Sequence, residues 1–180
     1  MFIRTALAIA TVSLISACAS SPMMKSFDQS GLPTAVQVPA GNKVFWETTG
    51  VGDITYECRA KANMAGQFEW VFAGPDAALN DASGKQVGKY FGPPATWAGM
   101  DGVSVTATQL AVSPGGAGNI PLQLVKANPA SGNGTLTGTT YIQRVNTMGG
   151  VAPASTCASG NAGAKQIVKY QAGYIFWRAM

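Results

Sequence analysis

Apolar and polar residues alternate with a period of two along much of this chain. The clearest run is Asp53-Ile54-Thr55-Tyr56-Glu57-Cys58-Arg59-Ala60-Lys61, in which Ile54, Tyr56, Cys58 and Ala60 share one face. Successive side chains of a strand point to opposite faces, so this run predicts a half-buried β-strand with Cys58 turned inward. Phe68, Trp70 and Phe72 share a face in the next run, and Val103 and Val105 alternate with Ser104 and Thr106 before the phase slips near Gln109-Leu110, the mark of a bulge. Ile120, Leu122 and Leu124 form another inner face. Thr135 to Val145 and Ile167 to Trp177 are rich in Thr, Tyr, Ile, Val and Trp. Asp81-Ala82-Ser83-Gly84 and Ser131-Gly132-Asn133-Gly134 read as hairpin turns. Ser113–Asn119, Phe91–Gly102 and Thr147–Lys165 read as loops. No stretch from residue 35 onward has helical periodicity, so residues 35–180 are expected to form a single β domain of about seven to nine strands. Short antiparallel strands of this kind predict a two-sheet antiparallel sandwich, jelly-roll or Greek-key like, with a closed β-barrel as the alternative.

Composition agrees with one exported β domain. The chain has 180 residues, 47% of them hydrophobic but only 11% charged, against a usual charged share of about 25%. The 22 glycines and many Thr, Ser, Asn and Gln carry the polarity instead. All eight acids lie at or before Asp101, and the net charge is +4. From Gly102 on, Lys126, Arg144, Lys165, Lys169 and Arg178 are the only charges. Five bases spread over that length make no basic cluster, so nucleic acid is not an expected partner.

The first residues carry an address. Arg4 followed by an apolar stretch from Ala6 to Ile15 reads as a signal peptide over residues 1–17, too short to cross a bilayer as a stable helix. Ile15-Ser16-Ala17-Cys18 resembles the lipobox of bacterial lipoproteins, which implies cleavage before Cys18 and its acylation. The alternative is an ordinary secretory signal with an incidental cysteine. Ala19 is not Asp, and by the same resemblance this points to the outer membrane, with the domain facing the periplasm or the cell surface. Acyl chains on one residue suffice for stable anchoring, so the membrane is an expected partner. Residues 18–34, which lack periodicity, are expected to be a flexible tether. With Cys18 lipidated, Cys58 and Cys157 remain of the three cysteines. In an oxidising compartment such a pair is expected to form a disulfide, which would also pin the long loop from Thr147 to Lys165.

From Val51 onward the chain resembles the DUF3455 family of exported proteins of unknown function. The resemblance rests on Tyr56-Glu57-Cys58, Trp70-Val71-Phe72, Gly74-Pro75-Asp76-Ala77, Tyr90, Gly92-Pro93, Trp97 and Asp101-Gly102. Its strongest block runs from Thr140-Tyr141-Ile142-Gln143-Arg144-Val145-Asn146-Thr147 through Gly149-Gly150 to Cys157. The family usually has His before the Tyr of its Gly-x-His-Tyr segment. Lys89 stands there in this chain, so any role resting on that His is absent or replaced. The resemblance implies an exported β domain and adds no reaction.

The residue inventory narrows the chemistry. There is no histidine, which removes His-based acid–base catalysis, the Ser-His-Asp triad and most zinc sites. Gly115-Gly116-Ala117-Gly118 does not connect a strand to a helix, so no nucleotide cofactor, and no other cofactor, is expected. No residue is assigned a catalytic role. Tyr90, Trp97, Asp101 and Arg144 are the candidate binding residues. Trp97, in a Pro/Gly loop beside Tyr90 and Asp101, can stack on a sugar ring or a partner's side chain, or it can fold back to cap the domain. Arg144 can hold an anion through its planar fork, or it can bond loop carbonyls. The expected function is a non-catalytic binding or scaffolding protein for a glycan or protein partner. The alternative is a hydrolase of an envelope polymer using paired carboxylates drawn from Glu69, Asp76 and Asp101.

Overall fold

The structure, a computed structural model, describes residues 27–180. The signal peptide, Cys18 and the first part of the expected tether lie outside the described residues. Eight antiparallel strands follow one another: β1 (Asn42–Ala60), β2 (Phe68–Asn80), β3 (Gln86–Phe91), β4 (Thr96–Gly99), β5 (Ser104–Ser113), β6 (Leu122–Ala127), β7 (Thr139–Gly149) and β8 (Lys165–Ala179). Each pairs with the next, and β8 returns to β1, so the sheet closes into a barrel in plain sequence order. The all-β antiparallel expectation holds, in its closed form. Neighbours in sequence are neighbours in the ring, so the Greek-key or jelly-roll crossover is not made.

Closure rests on the two longest strands. β1 and β8, of 19 and 15 residues, pair from Asn42↔Ala179 to Glu57↔Lys165. Register shifts in β1 at Val44/Trp46 and Thr55/Tyr56, and in β5 at Gln109/Ala111, are the bulges that add local twist. The last is the phase slip seen in the sequence. The ring closes, but β2 before Asp76 pairs only with β1 and β5 from Ala107 onward only with β6, so the short β3 and β4 leave a notch in the wall between them.

The inward positions fill most of the barrel, with Ile54, Ile120 and Tyr170 buried toward the β7–β8 end and the largest side chains toward the other. Leu79, Trp97, Ile142, Tyr174 and Phe176 are all fully buried there, as expected for an eight-stranded ring whose interior is just wide enough for side chains. Space for the rings comes from glycines: a Cβ on Gly50 would come within 2.5 Å of the Tyr174 ring. The strand expected from Thr135 begins only at Thr139. Leu136 sits in the β6–β7 connection instead and plugs this end of the core, which is why an apolar residue is tolerated there.

A second cluster lies on the outer face of β6, β7 and β8. Leu124, Val145, Ile175 and Trp177 are covered by Val36 and Val38, with Phe27 and Leu32 packed against them. The covering segment makes one 3₁₀ turn at Thr34–Val36. Gln143 latches it: its Nε2 donates to the Val36 carbonyl at 2.6 Å and to Gln29 Oε1 at 3.0 Å, while its Oε1 accepts from the Trp177 indole at 2.8 Å. Residues 27–34, expected to belong to a flexible tether, are therefore a packed strap. Their apolar residues are too irregularly spaced to show a period, yet Phe27 and Leu32 pack, partly buried, against the barrel wall.

Cys58 and Cys157 form the expected disulfide across a sequence separation of 99. It fixes the β7–β8 connection over β1. The Trp70 indole donates to the Ser155 carbonyl at 2.8 Å, and Cys58 exchanges backbone hydrogen bonds with Gly163 and Ala164.

Candidate functional site

An up-and-down ring sends alternate connections to the same end. The β2–β3, β4–β5 and β6–β7 connections lie at the end plugged by Leu136, and β1–β2, β3–β4, β5–β6 and β7–β8 surround the other. That second end is a mouth. Inside it is a cavity of about 370 Å³ walled by Phe72 of β2, Tyr90 of β3, Ala95 and Trp97 at β4, Ala107 and Gln109 of β5, Gln123 and Val125 of β6, and Arg144 of β7. Six consecutive strands each contribute side chains of one phase to a single space.

Arg144 is the one charged residue in that wall. It stands in register with Gln123 on one side and Tyr174 on the other, and its Nε donates to the Pro121 carbonyl at 3.0 Å. The ion pairs among the described residues, Arg59–Glu57 and Lys169–Asp53, are elsewhere, so the guanidinium has no carboxylate counter-charge. It is felt across the interior. Burial pushes the hydroxyls of Tyr56, Tyr90, Tyr170 and Tyr174 above the ordinary phenol range, and the Arg144 charge opposes that rise at each. Tyr56 donates to the Gly150 carbonyl at 2.8 Å, and the hydroxyls of Tyr170 and Tyr174 meet at 3.2 Å.

Tyr90 and Trp97 stack at 4.6 Å between ring centroids, with Tyr174 edge-on to the indole at 5.9 Å. The segment Phe91–Gly102, expected to be a loop displaying Trp97, contains the four-residue strand β4, and Trp97 is only 1% exposed. A strand this short, preceded by Gly92-Pro93-Pro94 and ending on Gly99, gives no alternation to read. Pairing with β3 and β5 turns its indole into the barrel, and the indole N–H is buried without a partner. Gln109 and Gln123 hydrogen-bond to each other on the wall.

Asp101 is not part of this group. It lies at the plugged end, where its carboxylate accepts the Thr135 N–H at 2.6 Å and the Val103 N–H at 3.1 Å. Hydrogen bonds from Thr135, then from Val103, hold it below the usual carboxylate range. Its proximity to Trp97 in sequence does not carry over, because Ala98 and Gly99 of β4 and the turn after them carry the chain from the interior to the end. Glu69 and Asp76 are exposed on β2 and outside the cavity wall. Glu47 and Asp81 share a smaller hollow of about 200 Å³, but Glu47 accepts the Phe27 N–H and Asp81 closes its own turn through Ser83 and Lys85. Among the described residues no three of His, Cys, Asp and Glu are grouped to hold a metal.

Tyr90, Trp97 and Arg144, singled out in the sequence, thus meet in one cavity, and Asp101 stands apart. Phe72, Gln109 and Gln123 were not singled out. For Phe72 the signal was the shared face of Phe68, Trp70 and Phe72. Gln123 was hidden, because Leu122 and Leu124, expected on the inner face, pack outward under the Val36–Val38 strap and leave Gln123 and Val125 inside. The profile of a family described as a protein of unknown function (DUF3455) matches residues 39–178. No curated protein and no solved structure matches the chain.

Proposed function

Since the chain belongs to the DUF3455 family, whose description assigns no activity, we propose from the barrel itself that the domain is a non-catalytic binding module. Its ligand is a small anion taken into the mouth. The observation that carries this is Arg144, half-buried in a cavity wall with one carbonyl for its five N–H donors and no counter-ion among the described residues. A partly desolvated cation is costly without a partner, and a guanidinium fork is suited to a carboxylate or phosphate. The dispersal of Glu69, Asp76 and Asp101 supports binding over the hydrolase alternative, which needs two carboxylates facing one cleft. The burial of Trp97 supports an enclosed ligand over a glycan laid on an exposed ring.

Calorimetric titration of the purified protein with acetate, benzoate, inorganic phosphate and glucose oligomers tests the reading. A charge-assisted hydrogen bond contributes about 1.5–3 kcal/mol. Arg144→Gln should therefore weaken an anion about tenfold to a hundredfold, while Arg144→Lys recovers part of the loss. Anion binding that survives Arg144→Gln unchanged, or glucose oligomers binding in preference, would overturn it.

For its address, we infer an envelope protein exported by residues 1–17 and anchored through a lipid on Cys18. The Cys58–Cys157 disulfide supports this, because such bonds persist in oxidising compartments. Intact mass of the membrane-extracted protein should show an acylated chain starting at Cys18. An unmodified chain starting elsewhere would retire the anchor.

A further inference from the structure

We infer that the anion taken by the mouth is an amphiphile, a carboxylate on an apolar body. This rests on the mouth being an anion site, and it adds what lies behind the charge. Arg144 is drawn toward the rim, because the carbonyl holding it belongs to Pro121 in the β5–β6 connection at the mouth. Deeper in, the wall is the stacked Tyr90–Trp97 pair with Ala107 and Val125. A ligand with its charge on Arg144 therefore points its remaining atoms at rings and methyl groups.

The apolar surface also continues outward. Val112 stands opposite Gln123 and shares its inward phase, and Phe72 stands opposite Tyr56 on the same phase. Both remain open to solvent, at 47% and 48%. Exposed apolar side chains on the inner face of a mouth, beside a cavity of mixed lining whose floor is the Tyr90–Trp97 pair, are surface that a ligand would cover. The single hydrogen bond from Gln123 to Gln109 holds the two amides against the wall beside Arg144, so the polar groups of the cavity gather on one side and the rings on the other. At the roughly 30 Å³ a water occupies, the cavity of about 370 Å³ takes on the order of a dozen non-hydrogen atoms, the size of a medium-chain acid.

The test is a homologous series of butanoate, hexanoate and octanoate, with octanol, octylamine and glucose 6-phosphate beside it, titrated by calorimetry against the purified protein. Burying a methylene contributes about 0.8 kcal/mol, so each is expected to tighten binding about fourfold. Octanol and octylamine should bind at least tenfold more weakly than octanoate. Val112→Ser, a change at an exposed position outside the cavity wall, should weaken octanoate several-fold and leave acetate unchanged, with the melting temperature reporting that the barrel is intact. Acids binding with equal, Arg144-dependent affinity whatever their chain length would sink the amphiphile while leaving the anion site standing. Glucose 6-phosphate binding more tightly than octanoate would do the same. No binding of any anion would remove both.

Discussion

Trp97 offers the sharpest check on the barrel interior, because two substitutions there should part company. The indole is 1% exposed, stacked on Tyr90 at 4.6 Å and edge-on to Tyr174 at 5.9 Å. Trp97→Ala removes all of this and leaves a void joined to the mouth cavity. Truncating a buried Trp costs about 3–5 kcal/mol. Water entering from the mouth eases the cavity penalty, and the loss of an unpartnered N–H returns some desolvation cost, so the low end, about 3 kcal/mol, is expected. Trp97→Phe keeps a ring against Tyr90 and removes the same N–H, whose burial without a partner costs about 1–3 kcal/mol. That gain offsets most of the lost area, leaving a net change of about 1 kcal/mol or less. For a chain of this size each kcal/mol moves the melting temperature by about 2–4 °C, so Trp97→Ala should melt about 6–12 °C lower. Far-UV circular dichroism through heat and urea is the assay, with the disulfide intact, since tryptophan emission changes with the substitution itself. Trp97→Ala melting within 2 °C of the parent would refute the placement, because that is how a solvent-exposed loop tryptophan behaves.

Three further outcomes follow from named contacts. Replacing both Cys58 and Cys157 with Ala should destabilise the barrel by about 4–5 kcal/mol in the chain-entropy model for a closed loop of this length. A urea midpoint that hardly moves would show the loop is held by its hydrogen bonds alone. Gln143→Leu should cost about 3 kcal/mol by orphaning the Trp177 indole N–H and the Val36 carbonyl. It should also speed hydrogen exchange across residues 27–38 while β1 and β8 stay protected, and uniform exchange would contradict a separable strap. Finally, burial raises Tyr90, Tyr170 and Tyr174 above their unfolded value of 10.0, so these groups stay neutral in the fold while the unfolded chain ionises. Their stabilising contribution is complete below about pH 10 and is lost as the pH rises. Absorbance at 295 nm should therefore show phenolate appearing together with unfolding. Smooth, reversible ionisation of all the tyrosines in a folded barrel would disprove their burial.

How much of this was legible depends on what a period of two can carry. It gives the phase of β1 and of the start of β5, where Ile54, Tyr56 and Val105 are buried as their phase requires, and it reverses β6, whose Leu122 and Leu124 face the strap and not the interior. It does not give closure, since the inside of a ring and the gap between two sheets present the same alternation. Nor does it reach β4, whose four residues hold barely one repeat, and so Trp97 read as a loop residue and Asp101 as its neighbour. It does not announce the burial of Gln143, because the strap that covers it has no period of its own. The mouth was nearer to view. Arg144 follows Ile142 by two residues and so shares its inward phase, and the positions beside it on β6 and β8 are Gln123 and Tyr174, neither acidic. A half-buried cation on the inward phase of a barrel with no acid on the facing positions is met by carbonyls, by water or by an anion from outside. A single carbonyl bond to Pro121 leaves most of its donors for the other two.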